Sequence, residues 1–358
     1  MPLSITDGAL AWQRLAVVNV HPRDERIQFE EETHTYTIDG TRSGWTSCTG
    51  FLHHFFGEFD ADAIIAKMMS SRNWLRSKYH GMTPTAIKAQ WNTKRDAAAT
   101  AGTRMHLDIE HFYNALPALW TAEGRLPGET TGTVGAERLL AQPDSRPAGT
   151  ADGSCRSNAD VCGPTGTTAT AGVEVSRIGN GRTVDIDAGI TAMQEADKWE
   201  PVAGPEWNYF CNYQRTYGSK FEPFRTEWLV FDEEHKVAGS IDMVYKKADG
   251  TLAIYDWKRA EEIKTENKFQ SGLGPIDHLP DTNYWHYSLQ LNVYRYILQK
   301  HYGYTVSELA LVVLHPINSS WRVVKVNIMD EEVTSMMETR ARALAIAGNI
   351  GNNPVVVF

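Results

Sequence analysis

FRTEWLVFDEEHKVAGSIDMVYKKADGTLAIYDWKRA, residues 224–260, carries three extended runs, at 225–231, 239–247 and 251–258, separated by turn-forming residues. The second turn, Ala248-Asp249-Gly250, predicts an antiparallel hairpin. Along 251–258 side chains alternate between faces, so Leu252, Ile254, Asp256 and Lys258 share one face while Ala253, Tyr255 and Trp257 take the other. An acid and a lysine therefore extend an apolar, core-facing row, where charge is costly unless paired or bound to a metal. With the turn centred on Asp249, hairpin symmetry sets Asp242 opposite Asp256, each seven positions away.

Two carboxylates across a ladder repel each other. A divalent cation between them converts that repulsion into a binding site, and all-oxygen ligation favours Mg²⁺ or Mn²⁺. Such an ion can polarise a phosphoryl oxygen and steady a leaving alkoxide. Lys258, two residues on and on the same face, is placed to hold an attacking water or to neutralise charge developing on phosphorus. The plainer reading of an isolated Asp-x-Lys is a surface salt bridge; the matched upstream Asp242 speaks for the metal.

Outward from this hairpin, a long amphipathic helix is predicted at about 284–301. LALVVLHPI and WRVVKVNI read as two more strands, and Glu331–Ala347 as a closing helix capped by Asp330. Upstream, Ile27, Phe29, Tyr36 and Ile38 followed by Asp39-Gly40 read as a small hairpin, and Phe59–Met69 as a helix with Asp60 as its cap. The run after Thr83-Pro84 reads as one or two helices broken near Gly102, and ITAMQEADKW as a further helix. Strands interleaved with helices define an α/β class with a central mixed sheet.

Residues 121–190 hold twelve of the 28 glycines, no lysine and none of the 37 aromatic residues. So few large apolar groups cannot offset the entropy of ordering, and about 122–184 reads as a flexible low-complexity insertion. The expected organisation is an N-terminal helical, basic region over 1–121, the insertion, a core over 185–347 and a tail over 348–358. Within 67–104, eight basic side chains stand against the single acid Asp96, a local net charge of +7 in a chain whose overall charge is −9. Trp74, Tyr79 and Trp91 are interleaved with these charges, which suits a surface that tracks phosphates and stacks bases, or equally a solvated helical face with buried aromatics.

Four cysteines without CxxC spacing argue against disulfides and a structural metal. No stretch approaches the roughly 20 apolar residues of a membrane span, and the N-terminus does not read as a signal peptide. An intracellular setting, with no membrane partner, is expected.

GSID (Gly239–Asp242) and YDWK (Tyr255–Lys258) resemble motifs II and III of the PD-(D/E)XK nucleases, in their RecB-like and lambda-exonuclease-like branch. That branch includes the mitochondrial genome-maintenance exonuclease. AGTRMHLDIE resembles its helical G-x-x-x-H motif, which implies His106 as a metal ligand; Glu110, four residues on, is a further candidate or simply its helix-face neighbour. RTEW implies Glu227 as the acid preceding motif II, and YSLQLNVYRY resembles the Q-x-x-x-Y helix, with Gln290 and Tyr294 orienting Lys258 or touching DNA. By the same resemblance Trp257 lends its backbone carbonyl to the metal while its side chain enters the core. FDADAIIAKMM, SKYHGMTP and NYWHYSLQLNVYRYIL resemble nuclease-like proteins of large DNA viruses. With no cysteine after Cys211, the iron–sulfur cluster of some members is not expected.

The resemblance implies a restriction-endonuclease-like core and Mg²⁺- or Mn²⁺-dependent hydrolysis of DNA with one or two ions. Asp242, Asp256 and His106 would bind metal, with Glu227 assisting and Lys258 serving the nucleophile. An exonuclease acting on DNA ends in recombination, repair or replication is the implied activity. Its rivals are a structure-specific endonuclease on the same site and an inactive nucleic-acid-binding protein.

Overall fold

A computed structural model describes residues 13–115 and 186–351. The insertion expected at about 122–184 and the tail expected after 347 fall wholly or largely outside them. Strands β4 (Glu222–Asp232), β5 (Val237–Lys246) and β6 (Leu252–Lys258) form the expected meander. The β5–β6 turn closes with Gly250 at φ +82°, a left-handed conformation that glycine adopts without steric cost, and Asp249 Oδ1 accepts from Thr251 N at 2.9 Å. This turn sets the register Met243↔Tyr255, Val244↔Ile254, Tyr245↔Ala253 and Lys246↔Leu252, centred on Asp249 as the sequence predicts.

Beyond β6 the chain passes through a loop and α7 (Asn283–His301) to β7 (Val306–Val313), which lies parallel to β6; β8 (Arg322–Lys325) pairs antiparallel with β7. The helical crossover is what a parallel neighbour requires. Near the N-terminus, β1 (Ile27–Glu30) and β2 (Thr35–Ile38) make a separate hairpin, and the short β3 (Thr46–Ser47) joins the main sheet. The main sheet is mixed and six-stranded.

Both faces of this sheet are covered, so β6 is buried along nearly its whole length. Leu252 and Ile254 pack into one core with α2 (Cys48–His53), α7 and α8 (Asp330–Gly351). Ala253, Tyr255 and Trp257 pack into the other with α4 (Pro84–Ala115), α5 (Ile186–Asp197) and α6 (Pro205–Thr216). The alternation read from the sequence thus separates two cores rather than a core from solvent.

The helix expected to break near Gly102 does not: α4 runs unbroken for 32 residues. A glycine inside a helix costs only about 1 kcal/mol relative to alanine, less than the packing of Met105, Ile109 and Phe112 holds in place. The short α3 (Ala61–Met69) is capped by Asp60, whose Oδ1 accepts from Ala63 N at 2.9 Å. Asp330, expected as the cap of the last helix, lies in its first turn and forms an ion pair with Arg295.

β5 runs beside β4 along one edge and meets two different strands along the other. Met243–Lys246 pair with β6, whereas Val237 and Ala238 pair with β3. The intervening Gly239–Asp242 has no strand on that edge, so the sheet opens between β3 and β6. Tyr294 of α7 lies against the opening, so close to Gly239 that a Cβ there would stand 2.6 Å from its ring.

Two glycines therefore respond oppositely to alanine. Gly239→Ala must displace a buried tyrosine ring and is expected to destabilise by about 1–3 kcal/mol. Gly102→Ala enters open space on a helix and is expected to stabilise by up to about 1 kcal/mol. Urea unfolding of both variants checks the pair, and a Gly239→Ala protein as stable as wild type would contradict the packing.

Candidate active site

The opening between β5 and β6 gathers the charged residues. Past Met243↔Tyr255 the two strands part, and the Asp242 carboxylate takes the backbone donor left over, Oδ2 accepting from Trp257 N at 3.0 Å. The Trp257 carbonyl faces α4 and accepts a hydrogen bond from His106 Nε2 at 2.9 Å. Because a carbonyl only accepts, Nε2 carries the proton, which turns Nδ1 toward Glu227 Oε1 at 3.7 Å and Asp242 Oδ2 at 3.6 Å. The Trp257 indole enters the core, nearly parallel to the ring of Tyr113.

Glu227 reaches this cluster through an unusual backbone. Its φ is +42°, left-handed in the middle of β4, and it falls between the paired residues Thr226↔Met243 and Trp228↔Ile241. Such a conformation costs a non-glycine residue on the order of 1–3 kcal/mol and persists only where the surroundings enforce it. Ser240 Oγ donates to Glu227 Oε2 at 2.8 Å and holds the carboxylate over the opening. The sequence reading did not single out Ser240, although it lies inside GSID and alternates onto the face of Asp242.

His106, Glu227 and Asp242 thus offer one nitrogen and two carboxylate oxygens, all within 4.8 Å of one another. Asp256 lies next to this group rather than in it. Its carboxyl is 2% exposed, and Oδ2, in no well-aligned hydrogen bond, rests 2.5 Å from Lys258 Nζ. Lys258 Nζ also sits 4.6 Å from the centre of the Tyr287 ring. Tyr287 was missed by the sequence reading, although it lies three residues before Gln290 on α7. Gln290 Nε2 donates to Tyr294 OH at 3.2 Å. That pair packs against Gly239, and the side chain on Lys258 is Tyr287 instead.

The electrostatics follow from buried like charges. Burial and the charge on Glu227 raise the Asp242 carboxyl, against the pull of His106 and Lys258; burial and the charge on Asp242 raise Asp256. Burial alone would lower Lys258, but Asp256 and Asp242 outweigh it and hold the ammonium well above the ordinary lysine range. His106 behaves likewise: desolvation opposes its charge, yet Asp242 and Glu227 raise its pKa to about 9. Burial, with the charge of Glu227 added, pushes Glu110 up to about 8. Protons and the Lys258 ammonium therefore balance an excess of carboxylate.

A hard divalent cation suits this donor set. One imidazole nitrogen and two carboxylates converge, and a third carboxyl, the buried Asp256, stands beside them with an oxygen lacking an aligned donor.

The fold is three-layered, α/β/α, and the cluster that could hold a cation lies where its central strands part. The description of the PD-(D/E)XK nuclease superfamily matches residues 169–354, more than half of the chain. The chain belongs to that superfamily and is a metal-dependent nuclease. None of the curated proteins compared with it matches. His106 precedes the matched residues, and α4 is what carries it to the site. Among the described residues no helix is long and apolar enough to cross a membrane.

Two outcomes test the cluster. Metal must expel the proton shared by His106 with its acids, so Mn²⁺ affinity should rise with pH up to about 9. Isothermal titration should show a gain of about tenfold per pH unit for each proton displaced, whereas a flat profile between pH 6 and 8 would refute the coupling. Glu227→Asn should weaken Mn²⁺ binding yet leave the thermal midpoint unchanged or higher, because asparagine tolerates the left-handed backbone and one repelling charge is gone. A marked loss of stability would show that Glu227 holds the fold instead.

Proposed function

We propose that the chain is a Mg²⁺-dependent deoxyribonuclease of the RecB-like and lambda-exonuclease-like branch, working from DNA ends in recombination, repair or replication. The observation that carries the reading is the convergence of His106, Glu227 and Asp242 beside the buried Asp256–Lys258 pair. His106, Asp242, Glu227 and Asp256 would hold the ion or ions; the Trp257 carbonyl, which accepts from His106 Nε2, would have to give up that bond to join them. When bound, the ion supplies Lewis acidity toward a phosphoryl oxygen and a lowered pKa for water.

The protein's own groups do the rest. Lys258, kept cationic by its two acids, cannot serve as the base; it donates hydrogen bonds to the charge that grows on the phosphoryl oxygens. Tyr287 fixes the ammonium from one side and Asp256 from the other. Ser240 aims Glu227, and the Tyr294–Gln290 pair, seated on Gly239, supports the strand carrying Asp242.

End-labelled linear DNA digested with Mg²⁺ tests the assignment. Lys258→Ala should cut the rate by roughly 10²–10³, the loss typical of removing one transition-state donor. Activity untouched by that change would contradict the mechanism. Covalently closed circular DNA should resist, and its cleavage would instead favour an endonuclease on the same residues.

A further inference from the structure

After Lys258 the chain does not return directly to a helix. It builds a loop over 259–282 whose outer part folds back on itself: Asp281 N donates to Gln270 O at 3.0 Å, Gly272 N to Leu279 O at 2.8 Å, and Ser271 bridges Pro280. At the open end of this fold-back Asn267 acts as a brace. Its Oδ1 accepts from Phe269 N at 3.0 Å and Gln270 N at 3.2 Å, while Nδ2 donates to Asp281 O at 2.8 Å. The loop is anchored to the turn after α2, where Leu273 N donates to Phe55 O at 2.8 Å, and to α7, where Tyr284 N donates to Lys264 O at 3.3 Å.

This braced segment presents Phe269 at 88% exposure, the most exposed of the large apolar side chains among the described residues. Burial cannot account for a phenylalanine so placed, because almost none of its surface leaves water. Its immediate companion is a cation, Lys67 Nζ, 5.7 Å from the ring centre, and Lys268 precedes it in the chain. Lys67 belongs to the basic segment identified in the sequence. That segment is tied to the same loop by Lys94 and Glu261, 2.6 Å apart, three residues beyond Lys258. Lys67, Arg72 and Arg76 have no ion-pair partner among the described residues. Leu75, also on this arm, is 76% exposed.

An exposed ring beside unneutralised cations, on a braced loop that begins at Lys258, matches a strand of nucleic acid, whose bases offer π-faces and whose phosphates seek cations. We infer that Phe269 stacks on an unpaired base of the substrate while Lys67 and the basic arm hold the adjoining phosphates. This forms a single-strand subsite outside the metal cluster. The subsite rests on the nuclease reading and adds to it: it requires the chain to engage an unpaired stretch next to the scissile bond. The loop stem bonds to the first turn of α7, one turn before Tyr287, which itself touches Lys258, so the loop that carries Phe269 is joined to the site at its base.

The test uses the full chain without divalent metal, where cleavage is silent, and a single-stranded DNA oligonucleotide carrying one fluorescent aminopurine base. Wild type should quench the base on binding. Phe269→Ala should bind roughly tenfold more weakly and lose the quench, within the range of one base–aromatic stack, and Phe269→Tyr should restore both. Lys67→Gln should reduce the salt dependence of binding by about one phosphate contact. Equal affinity and quench in Phe269→Ala, or failure of Phe269→Tyr to restore them, overturns the subsite. A change in sedimentation of free Phe269→Ala without a change in DNA affinity also overturns it and assigns Phe269 to self-association. Mg²⁺-dependent digestion by wild type, run in parallel, reports on the nuclease reading separately, because the binding measurement needs no metal.

Discussion

The parting of β5 from β6 after Met243↔Tyr255 is the constraint on which the site depends. A strand that loses its neighbour leaves backbone donors and acceptors to satisfy. Here Asp242 answers the Trp257 N–H and His106 answers the Trp257 carbonyl. The two side chains that repair the sheet are therefore the two that begin the cation cluster. Because β3 takes up the edge of β5 again at Ala238, the opening is bounded at both ends. Its size is set by four residues, Gly239–Asp242, and its floor by the ring of Tyr294 against Gly239.

Charges gathered in such a place are expensive unless they compensate one another. Asp242, Asp256, Glu227 and Glu110 supply an excess of carboxylate, and the protein balances it with Lys258, His106 and bound protons. The same imbalance suits the cluster to a divalent ion, since a cation that displaced those protons would relieve the repulsion directly. The left-handed backbone at Glu227 fits this picture. Strain there is retained because the surrounding pairs on both sides fix the strand, and Ser240 fixes the carboxylate.

The family resemblance and the geometry converge on one core, while the outer elements differ in kind. His106 comes from a 32-residue helix whose first half is basic and exposed and whose second half is buried against the sheet. One element thus joins a solvent-facing cationic surface to the candidate metal cluster. The Lys94–Glu261 pair joins that surface to the loop leaving Lys258. Through these two connections the basic segment stands beside the cluster, although Lys94 and Glu261 themselves are 167 residues apart in the chain.

Much of this was determined by the sequence alone, because the interactions involved are local. The turn at Ala248-Asp249-Gly250 sets the β5–β6 register, and the two-residue period of a strand sets Asp256 and Lys258 on one face. Asp60 caps α3 because the carboxylate and the amide it accepts from are three residues apart. Tertiary structure decided what depends on partners distant in sequence. The packing of Met105 and Ile109 carried α4 straight through Gly102, and β3 returned to close the opening in the sheet. Tyr287, not Gln290, came to rest on Lys258, and β4 turned left-handed at Glu227 to bring its acid to His106. A strand's period gives the face of a side chain but not where neighbouring strands diverge, and that divergence makes the site.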